Sequence, residues 1–539
     1  DVARIELGAL NYNQRGRLNG KPAAIIATYQ IPGTNALEIA AGLKRTMEEA
    51  KARFPQDLDY TTSMDTTLAV SEGIVEIQHT LVEAMALVIL VVFLFLQSWR
   101  ATLIPLLTVP VSLVGAFALF PLLGFSINTL SLFGLVLAIG LVVDDAIVVV
   151  EAVMHHIEHG MTPRDATVKA MQEVAGPVVA IALVLSSVFI PVAFVPGITG
   201  RMYQQFALTI AISVLISAIN ALTLSPALSA LLLRPAGESR GPLARFFAAF
   251  NRAFDRATEG YVGGTAVCVR KTGRTLVGLV ALTAGAAFLG WRLPGGFVPD
   301  EDQGYMFVNV QLPDAASMER TDAVCKQVEA ILAEAHGVAD YNTVAGYSMI
   351  SQTSATYTAF FFVSLEPWEE RTTAETDFRE IVRDLNLRFA AIPGAQVFAF
   401  LPPAIPGIGT GGGFSLMLQD RSGGTVEFLA QNVQRFLEAV RERPEIQGAF
   451  SPFRAGVPQV FAEVDRDKAL KQGVELRSVY TTLQAFMGGA YVNDFNRFGR
   501  QWKVFLQAEP EYRRRAEDIG AFYVRNAAGD MVPLSTLVA

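Results

Sequence analysis

GLVLAIGLVVDDAIVVVEAV, residues 134–153, is an apolar run broken by two adjacent aspartates, Asp144 and Asp145. Residues 101–143 carry no charged side chain at all, so the pair arrives late in a stretch with the character of a membrane core. A charged aspartate near a bilayer centre costs about 2.5–3.5 kcal/mol on insertion scales, and two neighbouring carboxylates add mutual repulsion. Ionisable groups kept at that cost mark function, and a helix carrying two of them reads as a proton carrier. Locking helices together through a basic partner is the structural alternative.

The composition agrees with that setting. The chain has 539 residues, 51% hydrophobic and 17% charged, against about 25% charged in soluble domains. A net charge of −8 without a basic block argues against nucleic acid as a partner. Cys268 and Cys325 are far apart and read as free thiols, with no disulfide or cysteine-based metal site. The chain opens at Asp1 without a methionine or signal-like segment and closes after a strand-like stretch, so it reads as a segment of something longer.

Six stretches have spanning length: 78–97, 101–121, 127–153, 176–196, 206–233 and 275–291. Trp99, Tyr203 and Trp291 lie near their ends, where aromatic belts form. The loop 234–274 holds eight Arg or Lys residues against Glu238, Asp255 and Glu259, which makes that side cytoplasmic. Within it Phe246, Phe247, Phe250 and Phe254 recur at helical spacing among Arg245, Arg252 and Arg256. Such a helix lies on the inner leaflet or packs on the protein's own surface. Six crossings then put both hydrophilic ends, 1–76 and 294–539, on the external side.

Those ends share a pattern. Residues 23–54 read as strand, Pro-containing turn and amphipathic helix, and residues 305–335 repeat it, each followed by a further strand candidate at 58–62 and 360–365. This is a β-α-β repeat of the split, ferredoxin-like kind. Residues 459–539 continue as strand, a helix over 476–486, and short strands around YVNDF, QWKVFLQ, AFYVR and MVPLST.

Longer stretches carry a family resemblance: FLFLQSWRATLIPLLTVPVSLVG, GFSINTLSLFGLVLAIGLVVDDAIVVVE, TLSPALSALLL, LPGGFVPDEDQGY and GGAYVNDF. They run from end to end, and the chain resembles the central half of a resistance-nodulation-division (RND) transporter of the hydrophobe/amphiphile multidrug-efflux branch. The resemblance implies an α-helical membrane domain holding six of twelve transmembrane helices, plus α+β periplasmic domains with β-α-β ferredoxin-like porter subdomains and a mixed α/β docking subdomain. Residues 1–10 would end a docking piece and 11–70 form part of a porter subdomain. Residues 71–233 would hold five spans, 234–274 the cytoplasmic loop and 275–293 the sixth span. Residues 295–407 would be a porter subdomain, 408–452 part of the next and 453–539 a docking subdomain. The helices whose lysine and arginine the family pairs with the aspartates would lie outside this segment, which would not transport alone.

The resemblance also assigns roles. Asp144 and Asp145 would be the proton relay; adjacent helix positions point about 100° apart and address different neighbours. Phe398, Phe400, Phe362, Tyr347, Val344, Met349 and Asn11 would line a substrate pocket or its gate. Phe398 and Phe400 share one side of a strand, and aromatic and methionine side chains suit flat, varied, lipophilic ligands. Asn342, Met64 and Gln14 stand where multidrug relatives often carry phenylalanine, tyrosine and isoleucine, which makes the pocket less aromatic. The glycine-rich stretch 406–413 reads as a gating loop. Glu151 and Glu83 read as interfacial carboxylates, with an exit relay as the alternative for Glu151.

The implied activity is proton-motive-force-driven efflux of lipophilic or amphiphilic compounds from a bacterial inner membrane. The implied partners are a homotrimer, a periplasmic adaptor protein and an outer-membrane channel, with no cofactor. Export of a narrow substrate, a lipid or a metal ion, stays open, as does a non-efflux role in protein translocation or lipid sensing. HHIEH (155–159) spells an inverted zinc-protease motif, but it lies just past the Asp-bearing span without a second zinc-binding cluster, and reads as a solvated helix end.

Overall fold

A computed structural model describes residues 3–9, 12–234, 242–293, 301–404, 415–446, 449–457 and 459–539. The described chain opens with a short hairpin, β1 (Arg15–Leu18) and β2 (Lys21–Pro22), followed by helix α1 (Ala36–Lys51) capped by the Asn35 side chain. The expected strands at 23–31 and 58–62 are absent. Apolar alternation alone does not make a strand, and neither stretch finds a partner ladder to satisfy its backbone.

The long apolar helices follow: α2 (Leu68–Leu96), α3 (Trp99–Leu123), α4 (Thr129–Glu158), α5 (Pro163–Phe189), α6 (Gly197–Leu222) and α7 (Leu224–Leu232). After the long helix α8 (Pro242–Arg270) comes α9 (Thr272–Arg292). Among the described residues six helical spans are long and apolar enough to cross a membrane, and all six overlap the stretches read from the sequence. The helices run past the apolar runs by up to thirteen residues, as α5 does at its start. Their polar first and last turns continue the backbone ladder where hydropathy gives no signal.

Helix α4 is the centre of the bundle and touches α2, α3, α5, α6 and α7. The surrounding helices keep broad apolar faces exposed, with Leu87, Leu90, Val184 and Leu231 each at least 60% exposed. Apolar surface on that scale marks contact with lipid or another protein face. At the end of α2, Phe93 and Phe95 pack edge-on against Phe247, Phe250 and Phe254 of α8, and Gln97 bonds Asn251. The aromatic stripe of the loop helix therefore packs on the protein's own helix.

Residues 305–400 form one α/β layer: β3 (Tyr305–Gln311), α10 (Met318–Ala333), β4 (Val338–Ala345), β5 (Thr358–Leu365), α11 (Phe378–Phe389) and β6 (Gln396–Phe400). The sheet order is β2-β1-β4-β5-β3-β6 with every pairing antiparallel. Helices α10 and α11 cover one face, where Met306, Val308, Val310, Phe361, Val363, Leu385 and Phe389 form the core. The β1–β4 ladder joins chain from before the first apolar helix to chain after the last. An odd number of crossings would put those two strands on opposite sides of a bilayer.

Beyond lie α12 (Val426–Arg441), α13 (Arg466–Lys471), α14 (Leu476–Leu483), the exposed hairpin β7 (Ala490–Arg497) with β8 (Arg500–Leu506), and the pair β9 (Tyr523–Arg525) with β10 (Met531–Pro533). Both cysteines are free: Cys268 is exposed on α8, and burial pushes the Cys325 thiol on α10 up to about 12.

The β1–β4 junction is fastened by charge. Arg17 points to the helix-covered face, where its guanidinium bonds Asp322 and, at 2.7 Å, Glu329 on α10. Thr343 also donates to Glu329, at 2.6 Å. Burial pushes the Asp322 carboxyl up, but the bonds and charges of Arg17 and Lys326 together outweigh it and hold it below its usual range. Removing one partner strands the others' charges in a desolvated place. Arg17→Met is expected to lower stability by about 3 kcal/mol, read as a fall in the thermal midpoint of the purified protein. Because the folded-state Asp322 value lies below the unfolded one, its contribution is complete above about pH 4 and is lost as pH falls further. A midpoint unchanged in Arg17→Met would contradict the clamp.

Candidate functional site

Two sites emerge, one in the bundle and one on the sheet. In the bundle, α4 and α6 approach closely because small residues face each other. A Cβ added at Gly134 would stand 3.0 Å from the Phe206 carbonyl and 3.3 Å from the Thr209 Cβ. Below Gly134 on α4 come Ala138, Val142 and Asp145, and along α6 come Thr209, Ser213 and Ser217 at four-residue spacing, all buried. Small and hydroxyl residues let helices pack closely where no hydrophobic effect drives association.

Asp145 lies in this seam, 5% exposed. The Ser217 hydroxyl donates to its Oδ2 at 2.7 Å and also lies 3.0 Å from the Val142 carbonyl. Nearby, Asn220 donates to Ser112 on α3 at 2.8 Å. Asp144, one position earlier, is exposed on the flank of α4. The pair therefore splits as the helix geometry requires, one carboxylate inside the seam and one facing out. Ser217 was missed in the sequence; its signal was the hydroxyl repeat 209, 213, 217 on a helix that had to face a buried acid. Glu151 and Glu83 are both exposed. His156 lies 3.1 Å from Glu173, and His159 reaches the His155 carbonyl at 2.7 Å, which occupies the histidines at the end of α4.

On the sheet, the face away from the helices is aromatic. Cross-strand register sets Phe307 opposite both Phe362 and Phe400, Asn309 opposite Phe360 and Phe398, and Val344 opposite Phe360. Opposed residues share a face, so Val344, Phe362, Phe398 and Phe400 lie together as one surface. Ring centroids are 5.7 Å apart for Phe307–Phe400, 5.1 Å for Phe360–Phe362 and 5.7 Å for Phe398–Phe400. Tyr347 and Met349, on the loop after β4, pack against the same cluster with Met64. That loop leaves β4 through Gly346 at φ +89°, where a Cβ would fall 1.8 Å from the Asn13 carbonyl, so glycine is required.

The face is half open. Phe362, Phe398, Phe400, Tyr347, Val344 and Met349 are each partly exposed, whereas Phe360 is fully buried. Phe450 adds a ring 5.5 Å from Phe398. Of the three departures from the family pattern, Asn342 is paired with Ser63, Met64 joins the cluster, and Gln14 donates to Ser354 at 2.9 Å. Asn11 and residues 406–413 lie outside the described residues.

One carboxylate of the pair is buried in a helical seam and the other faces out, while the aromatic sheet face belongs to the chain flanking the same helices. Residues 1–539 match the AcrB/AcrD/AcrF family. The chain belongs to that family. It is 42% identical over 540 residues to the multidrug export protein AcrF of Escherichia coli (strain K12), covering 99% of this chain and 52% of AcrF. It is 40% identical to the multidrug/solvent efflux pump membrane transporter MepB of Pseudomonas putida, over 99% of this chain and 51% of MepB. The multidrug resistance protein MdtF of Escherichia coli (strain K12) is also 40% identical, over 99% and 52%. The chain spans about half the length of these curated relatives. The RND resemblance read from its motifs is borne out, and its relatives are efflux transporters.

The tight α4–α6 seam yields a prediction. Gly134→Leu must push the two helices apart, and overpacking of this kind costs about 1–3 kcal/mol. Thermal unfolding of the detergent-purified protein is expected to shift down accordingly, while Gly140→Leu, where nothing lies within 4 Å of the added Cβ, leaves it unchanged.

Proposed function

We propose that this chain is the coupling and substrate-capturing part of a proton-driven exporter of lipophilic and amphiphilic compounds, working in a bacterial inner membrane. In this reading Asp144 and Asp145 take up and release protons. The layer 305–400, with its β-α-β-β-α-β order of the ferredoxin-like kind, is a periplasmic porter subdomain whose aromatic face receives substrate. The observation that carries the reading is the split carboxylate pair. Among the described residues Asp145 is held by a single side chain, the Ser217 hydroxyl, in a seam of small and hydroxyl residues, and Asp144 stands outward, available to a basic partner on another helix.

The physical sequence follows from charge. An ionised carboxylate in that seam depends on its hydrogen bond and on outside cations; a proton removes the charge and with it the pull on those cations. Helices that hold one arrangement when the pair is charged and another when it is neutral form a two-state element. The porter layer is tied to both chain ends of the helical run through the β1–β4 ladder, so a shift of the helices reaches it mechanically. Phe398, Phe400, Phe362, Tyr347, Val344 and Met349 offer flat ligands a surface without fixed hydrogen-bond geometry. Asn11 belongs to the same proposed pocket. Homotrimerisation, a periplasmic adaptor and an outer-membrane channel complete the proposal, supported by the family to which the chain belongs.

The test uses the protein at its full native length in a bacterium stripped of its own pumps. Dye efflux is compared with Asp144→Asn and Asp145→Asn at matched membrane expression. Each substitution keeps shape and removes the titrating group, so efflux is expected to fall below about one tenth of wild type, a loss of more than about 1.4 kcal/mol in the driving step. Full efflux in both variants would overturn the proton-relay assignment. Absence of dye and drug efflux in wild type would instead favour a narrow substrate.

A further inference from the structure

At the centre of the aromatic face stands a buried asparagine whose amide has no hydrogen-bond partner among the described residues. This residue, Asn309, lies on β3, opposite Phe360 and Phe398, with Phe307 two residues before it and Phe362 and Phe400 diagonal to it. It is 4% exposed. Its side-chain amide makes no hydrogen bond to any described residue, whereas two neighbouring asparagines are paired. Asn342, on the same face, exchanges hydrogen bonds of 2.7 and 3.0 Å with Ser63. Asn386, behind the sheet, both donates to and accepts from the Ala399 backbone at 3.0 and 2.8 Å. The Asn309 amide is not sealed off in the way the buried Thr209 and Ser225 hydroxyls are, so its donors and acceptor stay reachable from the open side of the face between five rings.

We infer that Asn309 is the hydrogen-bonding point of the aromatic face, selecting flat lipophiles that carry a neutral amide-like group over pure hydrocarbons of the same shape. This rests on the reading of that face as the substrate surface. The amide offers one acceptor oxygen and two donor hydrogens, so it complements a primary or secondary carboxamide, imide or lactam in both directions at once. The surrounding rings hold the ligand's apolar body and exclude water, which strengthens the bond they surround. A cation gains nothing special here, because no carboxylate lies on this face among the register partners named. Asn309 makes the face selective where the rings alone would be permissive.

The experiment uses the protein at its full native length in pump-stripped cells, with a neutral fluorescent dye as the transported reporter. Two competitors share one planar tricyclic body; one carries a primary carboxamide, the other an isopropenyl group of nearly the same shape. The readout is the ratio of their half-inhibitory concentrations within each variant, which cancels differences in expression. In wild type the carboxamide is expected to compete about tenfold better, the worth of one desolvated hydrogen bond. Asn309→Leu and Asn309→Met are each expected to bring the ratio near one, and Asn309→Gln to restore part of it. An unchanged ratio in Asn309→Leu or Asn309→Met, or no preference in wild type, overturns the inference. Phe398→Ala separates the two layers of the argument. It should raise both half-inhibitory concentrations and keep their ratio. If it moves neither, the aromatic face is not the substrate surface; if it moves both while Asn309→Leu leaves the ratio intact, only the role of Asn309 falls.

Discussion

A carboxylate placed among apolar helices has to find hydrogen-bond donors or give up its charge, and much of this bundle is arranged around that demand. Asp145 meets it with one hydroxyl, that of Ser217. For Ser217 to reach, α6 must run close to α4, and for the helices to run that close, Gly134 must be small where Phe206 and Thr209 pass. The buried hydroxyls are a consequence of the same approach, since Ser213 satisfies itself on the Thr209 carbonyl at 2.8 Å. Helix α4 thus occupies the middle of the bundle, and its second carboxylate, Asp144, is left on the outside.

The sheet layer has one closed face and one open face. One face is closed by α10 and α11 over a continuous core and carries the Arg17–Asp322–Glu329 cluster, which holds the β1 hairpin in place. The other is aromatic and only partly covered, by Met64, Tyr347 and Met349. A face of this kind would be a liability on an isolated soluble domain; in the proposed export of lipophiles it is where they would bind. Both faces belong to strands whose register is fixed by the buried side, because a slip of one residue would exchange them.

Much of this was legible beforehand. The apolar helices, the Asp pair, the strand–turn–helix of residues 305–335 and the shared side of Phe398 and Phe400 all follow from periodicity and charge. Helix ends were not legible, since polar turns beyond the bilayer lose the hydropathy signal. Strand β1, RGRL, has no apolar alternation; Arg17 is buried only because Asp322 and Glu329 await it more than 300 positions away. Strand β4 was hidden because Asn342 and Thr343 are polar yet buried through Ser63 and Glu329. Residues 23–31 show the converse error, alternation without a neighbouring strand. Asn309 gave no sign of its setting, because its place between Phe360 and Phe398 exists only once three strands are in register.

The central claim is that the α4 carboxylates exchange protons for substrate. Proteoliposomes holding the native-length protein and a trapped pH indicator test it directly, with no gradient imposed and substrate added to one side. The account predicts proton movement opposite to the substrate, dependent on substrate concentration in wild type and absent in Asp145→Asn. Substrate-driven proton movement of equal size in Asp145→Asn would contradict it.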